Sequence, residues 1–266
     1  MISPSVVSPS SRIDEGRVSK LFVHSAAQQW SADVALDFSS PLTLTPEQRQ
    51  IWAELGTVFY TMEKMGQHVL ARMTLKASHQ FRSEASLQYL TLQGADEGRH
   101  VYTIGRFLQR LGEPPRYDGK YHLLGQIASL GFYQIENWLF STLFSENFAS
   151  SFLRRAKGAE IDPLGSEMCR RLLIDESRHL HFLHIVLPEV MDHLSLLGRG
   201  YVKMSQYFIM KLTVSLSRHL ASRAEKVGLN REELLDEVFS NVEKAYEGFG
   251  VSRHFLTFPT VRDSLT

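Results

Sequence analysis

Apolar residues recur every three or four positions along most of the chain, which is the spacing of one face of an α-helix. Six long segments follow this period, and none shows the strict alternation typical of a half-buried strand. These segments cover roughly residues 45–74, 84–111, 121–157, 166–188, 201–227 and 231–248. The pattern therefore predicts an all-α fold.

Capping and turn signals mark the ends of these predicted helices. Thr45 is followed by a proline, and Gln48 stands three residues after it, which is typical of a helix start. Gly112 with two following prolines should end the second helix, and Asn230 should cap the last one. Pro188 is expected to kink or end the fourth helix.

The N-terminal part of the chain lacks a long periodic segment. Residues 1–25 are rich in Ser, Pro and Val, and we interpret them as a flexible tail. Residues 26–44 contain Trp30 and should form an extended arm or a short turn packed against the helices. We expect one domain over residues 26–266, in which a four-helix bundle at about 46–192 is followed by two additional C-terminal helices.

One short motif occurs twice in the predicted bundle. The sequence Asp-Glu-x-Arg-His stands at residues 96–100 in the second helix and at 175–179 in the fourth. On a helix, a Glu and a His three positions apart lie on one face about a turn apart, so both can reach one point. Two such pairs, with one Glu from each of two other helices, form the ligand set of a di-metal carboxylate site.

The position of the first loop selects one of the two missing glutamates. Antiparallel helices place residues that are equally far from their connecting loop at the same height along the bundle. Glu63 and Glu97 each lie 17 residues from Gln80, the centre of the break between the first two helices. The rival Glu54 would lie about 13 Å too far along the axis.

The same argument applies to the second pair of helices. Glu146 and Glu176 each lie 15 residues from Ile161, the centre of the connecting loop, whereas Glu136 is ten residues further away. The predicted metal ligands are therefore Glu63, Glu97, His100, Glu146, Glu176 and His179. Oxygen-rich sites with few imidazoles suit iron or manganese, and two divalent cations would balance four buried carboxylates.

Residues beside these ligands are candidates for supporting roles. Asp96 and Asp175 precede the motif glutamates, and each could accept a hydrogen bond from the His of the opposite motif. The arginines of the motifs could then balance the charges of these aspartates. Ser150 and Gln67 follow Glu146 and Glu63 by one turn, so both are candidates for proton relay or for hydrogen bonding in a pocket.

Composition narrows the classes of function. The 266 residues carry no net charge, which gives no support for nucleic acid or an anionic membrane as the main partner. The single cysteine, Cys169, excludes an internal disulfide framework and a four-cysteine iron site, and it favours a cytoplasmic setting. No stretch of 18 apolar residues occurs, so no membrane-spanning helix is expected.

The paired motifs resemble the ferritin-like di-iron carboxylate superfamily, in particular its oxygen-activating branch. The resemblance covers roughly residues 46–192. It includes soluble acyl-carrier-protein desaturases, N-oxygenases and bacterial multicomponent monooxygenase hydroxylases, whose third and fourth helices are similar to residues 146–179. It implies a ferritin-like four-helix bundle that holds two iron ions, or a manganese–iron pair. Homodimers are common in this superfamily.

At three positions the chain can be compared with individual branches of the superfamily. Ribonucleotide reductase small subunits have a radical tyrosine where this chain has Ile104, which disfavours that branch. Para-aminobenzoate-type N-oxygenases have a third His where this chain has Leu172, so that coordination is absent, although N-oxidation stays open. Multicomponent monooxygenases have a threonine at the position of Ser150.

The leading hypothesis is a non-haem di-iron oxygenase that uses O2 to hydroxylate, N-oxygenate or desaturate a small organic substrate. Because no flavin or iron–sulfur signature occurs, an external electron donor such as a ferredoxin or a reductase is implied. One alternative is a desaturase or oxidase acting on an acyl-carrier or lipid substrate. Another is ferritin-like handling of iron or peroxide without an organic substrate.

Overall fold

The fold was analysed in a computed structural model, which describes residues 13–81, 83–116 and 134–249. Within these ranges the secondary structure is helical, without a strand, so the all-α prediction is confirmed. The helices are α1 (Glu15–Ala27), α2 (Ala32–Ala35), α3 (Pro46–Gln80), α4 (Glu84–Arg110), α5 (Ile135–Gly158), α6 (Pro163–Asp192), α7 (Leu196–Glu225) and α8 (Arg231–Gly248).

Two helix pairs form the bundle. Helices α3 and α4 pack against each other along their lengths, and so do α5 and α6. The pairs meet through contacts of α4 with α6 and of α3 with α5, while α7 and α8 pack against α5. This arrangement agrees with the predicted four-helix bundle and its two additional C-terminal helices, and it brings the two repeated motifs onto facing helices.

Most helix boundaries follow the capping signals in the sequence. The Thr45 side chain accepts a hydrogen bond from the backbone N–H of Gln48, whose side chain accepts one from the backbone N–H of Thr45. Asn230 caps α8 by accepting a hydrogen bond from the N–H of Glu233. The first third of the predicted third helix, residues 121–133, lies outside the described residues.

Of the two outcomes predicted for Pro188, the structure excludes an end of the helix there, because α6 continues through Pro188 to Asp192. A proline inside a helix removes one backbone hydrogen bond and costs about 3 kcal/mol. The side chains on both sides of it offset this cost, since Leu187 and Val190 are fully buried and Met191 is 3% exposed. Burial of this last turn in the core therefore outweighs the local breaking signal.

The prediction of a flexible N-terminal tail is wrong for residues 15–25, because these residues belong to α1. Asp14 caps this helix by accepting a hydrogen bond from the backbone N–H of Arg17 at 3.0 Å. Val18 and Leu21 are buried against α4 and α6. The apolar stripe of this helix is only about two turns long, which is too short to predict a helix from the sequence. Packing against the bundle stabilises the helix instead. Residues 1–12 lie outside the described residues.

The core consists of two apolar clusters with a polar layer between them. Along α4, Leu90 belongs to one cluster and Ile104 to the other. Along α6, which packs against α4, Leu183 belongs to the first cluster and Leu172 to the second. The two Glu-x-x-His pairs occupy the stretch between these residues on both helices. The polar layer is therefore enclosed by apolar packing at both ends.

Among the described residues, no helix combines the length and the apolar character that crossing a membrane would require.

The packing of α1 can be tested with two valines of the same helix. Val18 is completely buried, whereas 66% of Val23 is exposed. We expect Val18→Ala to lower the free energy of unfolding by about 2 kcal/mol, because it removes buried methyl groups and leaves a cavity. Val23→Ala should change it by about 0.5 kcal/mol or less. Denaturant unfolding measures both, and equal effects would show that α1 does not stabilise the bundle.

Candidate metal centre

All six predicted ligands meet in the polar layer between the apolar clusters. Helices α3 and α5 each contribute one glutamate, and α4 and α6 each contribute a Glu-x-x-His pair. Every one of these side chains is buried, with the exposed fraction of the residue between 0% and 7%. These six candidate ligands are Glu63, Glu97, His100, Glu146, Glu176 and His179.

Two groups of ligand atoms can be distinguished in this layer. One atom from each of Glu63, Glu97 and His100 lies within 4.8 Å of the others, and the same holds for Glu97, Glu146 and His179. Glu97 therefore belongs to both groups. The two carboxylate oxygens of Glu176 lie 3.2 Å from His100 Nδ1 and 3.0 Å from His179 Nδ1. Glu97 and Glu176 thus lie between the two imidazoles, where they could bridge two metal ions.

Each imidazole has its other nitrogen close to an aspartate of the opposite motif. His100 Nε2 lies 3.2 Å from Asp175 Oδ2, and His179 Nε2 lies 3.5 Å from Asp96 Oδ2. Asp175 is thus within hydrogen-bond distance of His100 as predicted, whereas Asp96 lies near His179 without forming a hydrogen bond to it. A proton on Nε2 that faces the aspartate would leave Nδ1 of each His as the ligand atom towards the carboxylate cluster.

Two motif arginines neutralise these aspartates, as predicted. The Arg99 guanidinium donates to Asp175 at 2.9 Å and also forms an ion pair with Asp96. Arg178 forms an ion pair with Asp175 and lies 3.6 Å from Asp96. The pairs are almost completely shielded from water, so breaking one would leave a buried charge without its partner.

The segment between α1 and α2 adds contacts that the sequence did not indicate. Gln29 Nε2 donates to Asp96 at 2.8 Å, and Trp30 Nε1 donates to Asp175 at 2.9 Å. Trp30 also stacks near the Arg99 guanidinium, 5.0 Å from its ring centroid. These residues are far from the motifs in sequence and follow no spacing rule. Only the docking of α1 on the bundle places them beside the two aspartates.

Mutual proximity alters the protonation of the cluster. Burial raises the pKa of Glu97 well above its usual range, and the charges of Glu63 and Glu146 raise it further. Burial alone would lower the pKa of His100, but the neighbouring Glu176 outweighs it and raises that pKa well above its usual range. Glu97 and His100 therefore hold protons more tightly than the free side chains do, and bound cations would compete with these protons.

An apolar cavity of about 310 Å³ adjoins the centre. Its wall includes three of the candidate ligands, Glu63, Glu97 and Glu146, so the cavity opens directly onto the polar layer. Most of the remaining wall is formed by aromatic and aliphatic side chains from α3, α5 and α7. This volume lies at the lower end of the range of about 300–1,000 Å³ that is typical of small-molecule sites.

Gln93 is a wall residue that the sequence analysis missed. It is 3% exposed and stands one turn before Glu97 on α4, and its Nε2 donates to Glu146 Oε1 at 3.2 Å. The signal was available, because a residue four positions before a ligand lies on the same helix face. A polar amide at that position in an apolar helix face indicates a role in the site.

The two other predicted polar residues have different surroundings. Ser150 is 4% exposed, and its hydroxyl oxygen has no hydrogen-bond partner among the described residues. Gln67 is half-buried and faces Gly98 on α4. Neither residue belongs to the cavity wall, so the structure does not support the prediction that they form hydrogen bonds in a pocket. Gln93 occupies the position expected of such a group.

The donor set fits a pair of metal ions. Three carboxylates and two imidazoles make up the two ligand groups, and the Glu176 carboxylate lies beside both imidazoles. This set offers mainly oxygen ligands, which suit iron or manganese. Two divalent cations would compensate the four buried carboxylates, which otherwise repel each other in a dry environment. The fold and this site together define the class of ferritin-like di-metal carboxylate proteins.

The comparison with protein families makes the assignment more specific. Residues 44–245 match the p-aminobenzoate N-oxygenase AurF family. This match covers most of the chain, which therefore belongs to that family and is an O2-dependent oxidoreductase. N-oxygenases are among the groups that the repeated motifs resemble. A comparison with curated protein sequences finds no match.

Solved structures show the same fold at low sequence identity. A Synechococcus protein with aldehyde deformylating oxidase activity aligns with a TM-score of 0.64 and 20% identity, over 85% of this chain and all of its own. A mutant R2-like ligand-binding oxidase with an anaerobically reconstituted Mn/Fe cofactor aligns with a TM-score of 0.68 and 16% identity, over 89% of this chain and 93% of its own. The ferritin-like bundle is thereby confirmed.

Leu172 shows how this chain departs from the pattern expected of p-aminobenzoate-type N-oxygenases. In place of the third His implied by the resemblance, Leu172 is completely buried in an apolar cluster. Family membership therefore does not require that additional ligand, and the centre described here offers six candidate ligands.

Metal stoichiometry tests the role of the six candidate ligands. We expect about two iron ions per chain in the wild-type protein. Glu97→Ala should lower the content to fewer than one, because Glu97 belongs to both ligand groups. Glu54→Ala is the matched control, since Glu54 lies on α3 outside these groups and pairs with Arg223. Elemental analysis measures the content, and an unchanged value for Glu97→Ala would contradict the assignment.

Proton release gives an independent test of the same centre. Because the pKa values of Glu97, Glu146, His100 and His179 are all raised, metal binding should release protons, and apparent metal affinity should increase as the pH is raised. Calorimetric titration with iron(II) under anaerobic conditions, repeated in buffers of different ionisation enthalpy, measures the number of protons released. Binding without proton release would show that the metal occupies another site.

Proposed function

We propose that the six candidate ligands hold two metal ions and that the protein N-oxygenates an aromatic amine bound in the adjoining cavity. Membership of the p-aminobenzoate N-oxygenase family supports the type of reaction. The apolar character of the cavity supports an aromatic substrate, because flat rings are well accommodated by aromatic and aliphatic side chains.

One observation carries this proposal. Glu63, Glu97 and Glu146 belong both to the candidate ligand groups and to the cavity wall. A molecule in the cavity would therefore lie directly beside the metals, with no intervening layer of protein. Iron-storage chemistry does not need an apolar cavity at its metal site, whereas oxidation of an organic molecule needs a place to hold that molecule.

The reaction balances with two electrons from outside the chain. One oxygen atom of O2 is inserted into an N–H bond of the amine and gives a hydroxylamine. The second oxygen atom leaves as water after taking up two protons and two electrons. Bound metal ions would supply the activation of O2.

The chain's own groups have three tasks in this scheme. The Asp96 and Asp175 carboxylates keep the two His in the tautomer that presents Nδ1 to the centre. The apolar clusters exclude water, which strengthens the electrostatic interactions inside. The cavity holds the amine beside the carboxylate layer and so supplies proximity.

The remaining expectations concern the protein's surroundings. The electrons should come from a separate ferredoxin or reductase, because the reaction consumes two of them and no flavin or iron–sulfur signature occurs in the sequence. A cytoplasmic setting is favoured by the use of a single cysteine. Homodimerisation is expected by analogy with the superfamily. The pair of metals is two irons or manganese with iron, since both accept this donor set.

A single-turnover experiment tests the proposal. The iron-loaded protein is reduced and then mixed with O2 in the presence of an aromatic amine such as aniline. We expect one equivalent of hydroxylamine or a further oxidised product, containing oxygen from ¹⁸O2, which mass spectrometry detects. Glu97→Ala should lower the yield by a factor of about 100 or more, since ligand loss removes the metals.

Glu54→Ala provides the control and should keep the wild-type yield. Oxidation of iron without any organic product from a panel of amines would contradict N-oxygenation. Mineralised iron in that experiment would favour the alternative of iron handling instead.

A further inference from the structure

The polar groups of the cavity wall are unevenly distributed between hydrogen-bond donors and acceptors. Several hydroxyls line the cavity, and four of them donate to carbonyl oxygens of their own helices. These are the hydroxyls of Ser141, Ser145, Thr213 and Ser217. Their protons are therefore already engaged, and what they can offer a bound molecule is an acceptor oxygen.

The two wall arginines are engaged as well. Arg155 donates from all three guanidinium nitrogens, to the carboxylates of Glu237 and Glu233 and to the backbone oxygen of Glu233. Arg231 likewise donates from all three, to Ser217, to Glu232 and to the backbone oxygen of Val214. The charge of each arginine is thus already paired with glutamate, that of Arg155 with Glu233 and Glu237 and that of Arg231 with Glu232, so neither offers an uncompensated cation to an anionic ligand.

The glutamates around Arg155 add to the argument against an anionic substrate. The Arg155 guanidinium is held by Glu233 and Glu237, two carboxylates of α8. A substrate carboxylate that approached Arg155 would therefore also approach these two carboxylates, which would repel it. Elsewhere the wall is mainly apolar, and an unpaired charge there is very unfavourable.

Gln93 is the acceptor best placed for an amine. Glu146 can only accept when it is ionised, as in a metal-loaded centre, so the amide turns its NH2 group towards Glu146 and its Oε1 is left as an acceptor. The described residues include no hydrogen-bond partner for this oxygen. Once metal ions occupy the centre, the lone pairs of the wall carboxylates are largely engaged in coordination. The Gln93 amide oxygen then becomes the neutral acceptor next to the metals.

The two halves of the site differ at this position. Gln93 precedes the first motif glutamate by four residues, and Leu172 precedes the second by the same distance. Leu172 is buried in an apolar cluster, whereas Gln93 belongs to the cavity wall. Of these two equivalent positions, only that on α4 therefore carries a hydrogen-bond acceptor, and this difference would orient a bound amine.

We propose that the substrate is a neutral amine without a carboxylate, and that the Gln93 amide oxygen accepts a hydrogen bond from its amino group. This inference rests on the proposed function and names its substrate class. It assigns Gln93 as the residue that determines specificity for an N–H donor. It also separates this chain's substrate from p-aminobenzoate, the compound in the family's name.

Anaerobic binding to the full-length iron(II) protein tests the first part. Calorimetry or competition binding compares p-aminobenzoate with its methyl ester at neutral pH, where only the former is an anion. We expect the ester to bind at least about tenfold more tightly, because the acid must bury an unpaired charge. Equal or tighter binding of the acid would overturn the proposal.

A hydrogen-bond cycle tests the second part. The wild-type protein should bind aniline at least about fivefold more tightly than N,N-dimethylaniline, which has no N–H group. Gln93→Met keeps the side-chain length but removes the acceptor, so this preference should disappear. Gln88→Met, at an exposed glutamine of the same helix, is the matched control and should retain it. A preference that persists in Gln93→Met, or is absent from the wild type, would overturn the assignment.

These measurements remain decisive if the variant is unstable or the reaction differs. A ratio of two ligands within one protein is unaffected by a change in the folded fraction, and the wild-type comparisons require no variant. Binding without O2 reports on recognition alone, whereas the oxidation product reports on the proposed reaction. Selective binding of the ester without any N-oxygenated product would therefore refute N-oxygenation and leave the substrate class supported.

Discussion

Mutual repulsion of four carboxylates in a dry core is the constraint on which the rest of this structure depends. Glu63, Glu97, Glu146 and Glu176 are at most 7% exposed and share one polar layer. Such a layer is tolerable only if cations or protons compensate it. The raised pKa values of two of these glutamates and of both His express that requirement. The apolar clusters at both ends of the layer supply the folding free energy that offsets its cost.

A second layer of charge keeps the first in order. Asp175 forms a hydrogen bond with the far nitrogen of His100, Asp96 lies 3.5 Å from that of His179, and two arginines neutralise both aspartates. The N-terminal segment completes this layer through Gln29 and Trp30. The histidine side of the centre is thus closed by hydrogen bonds, while its carboxylate side adjoins the cavity. This asymmetry assigns one side to ligand orientation and the other to substrate.

The cavity links the family's chemistry to this particular chain. The family match establishes an O2-dependent oxidoreductase, and the solved structures establish the bundle. Selection of the substrate depends instead on the wall, where hydroxyl protons and guanidinium nitrogens are already engaged. Leu172 and Gln93 each stand four residues before a motif glutamate. The same scaffold therefore offers an apolar contact on one side and a hydrogen-bond acceptor on the other.

The sequence by itself determined the helices, the repeated motif and the six candidate ligands, because each follows from spacing along one helix or from equal distances to a loop. Helix propensity and helix-breaking residues did not predict that α1 forms or that α6 continues through Pro188. Both depend on burial against residues that are distant in sequence. The contacts of Trp30 and Gln29 arise in the same way. Whether Ser150, Gln67 or Gln93 reaches the cavity depends on helix rotation within the bundle, which only the tertiary structure sets.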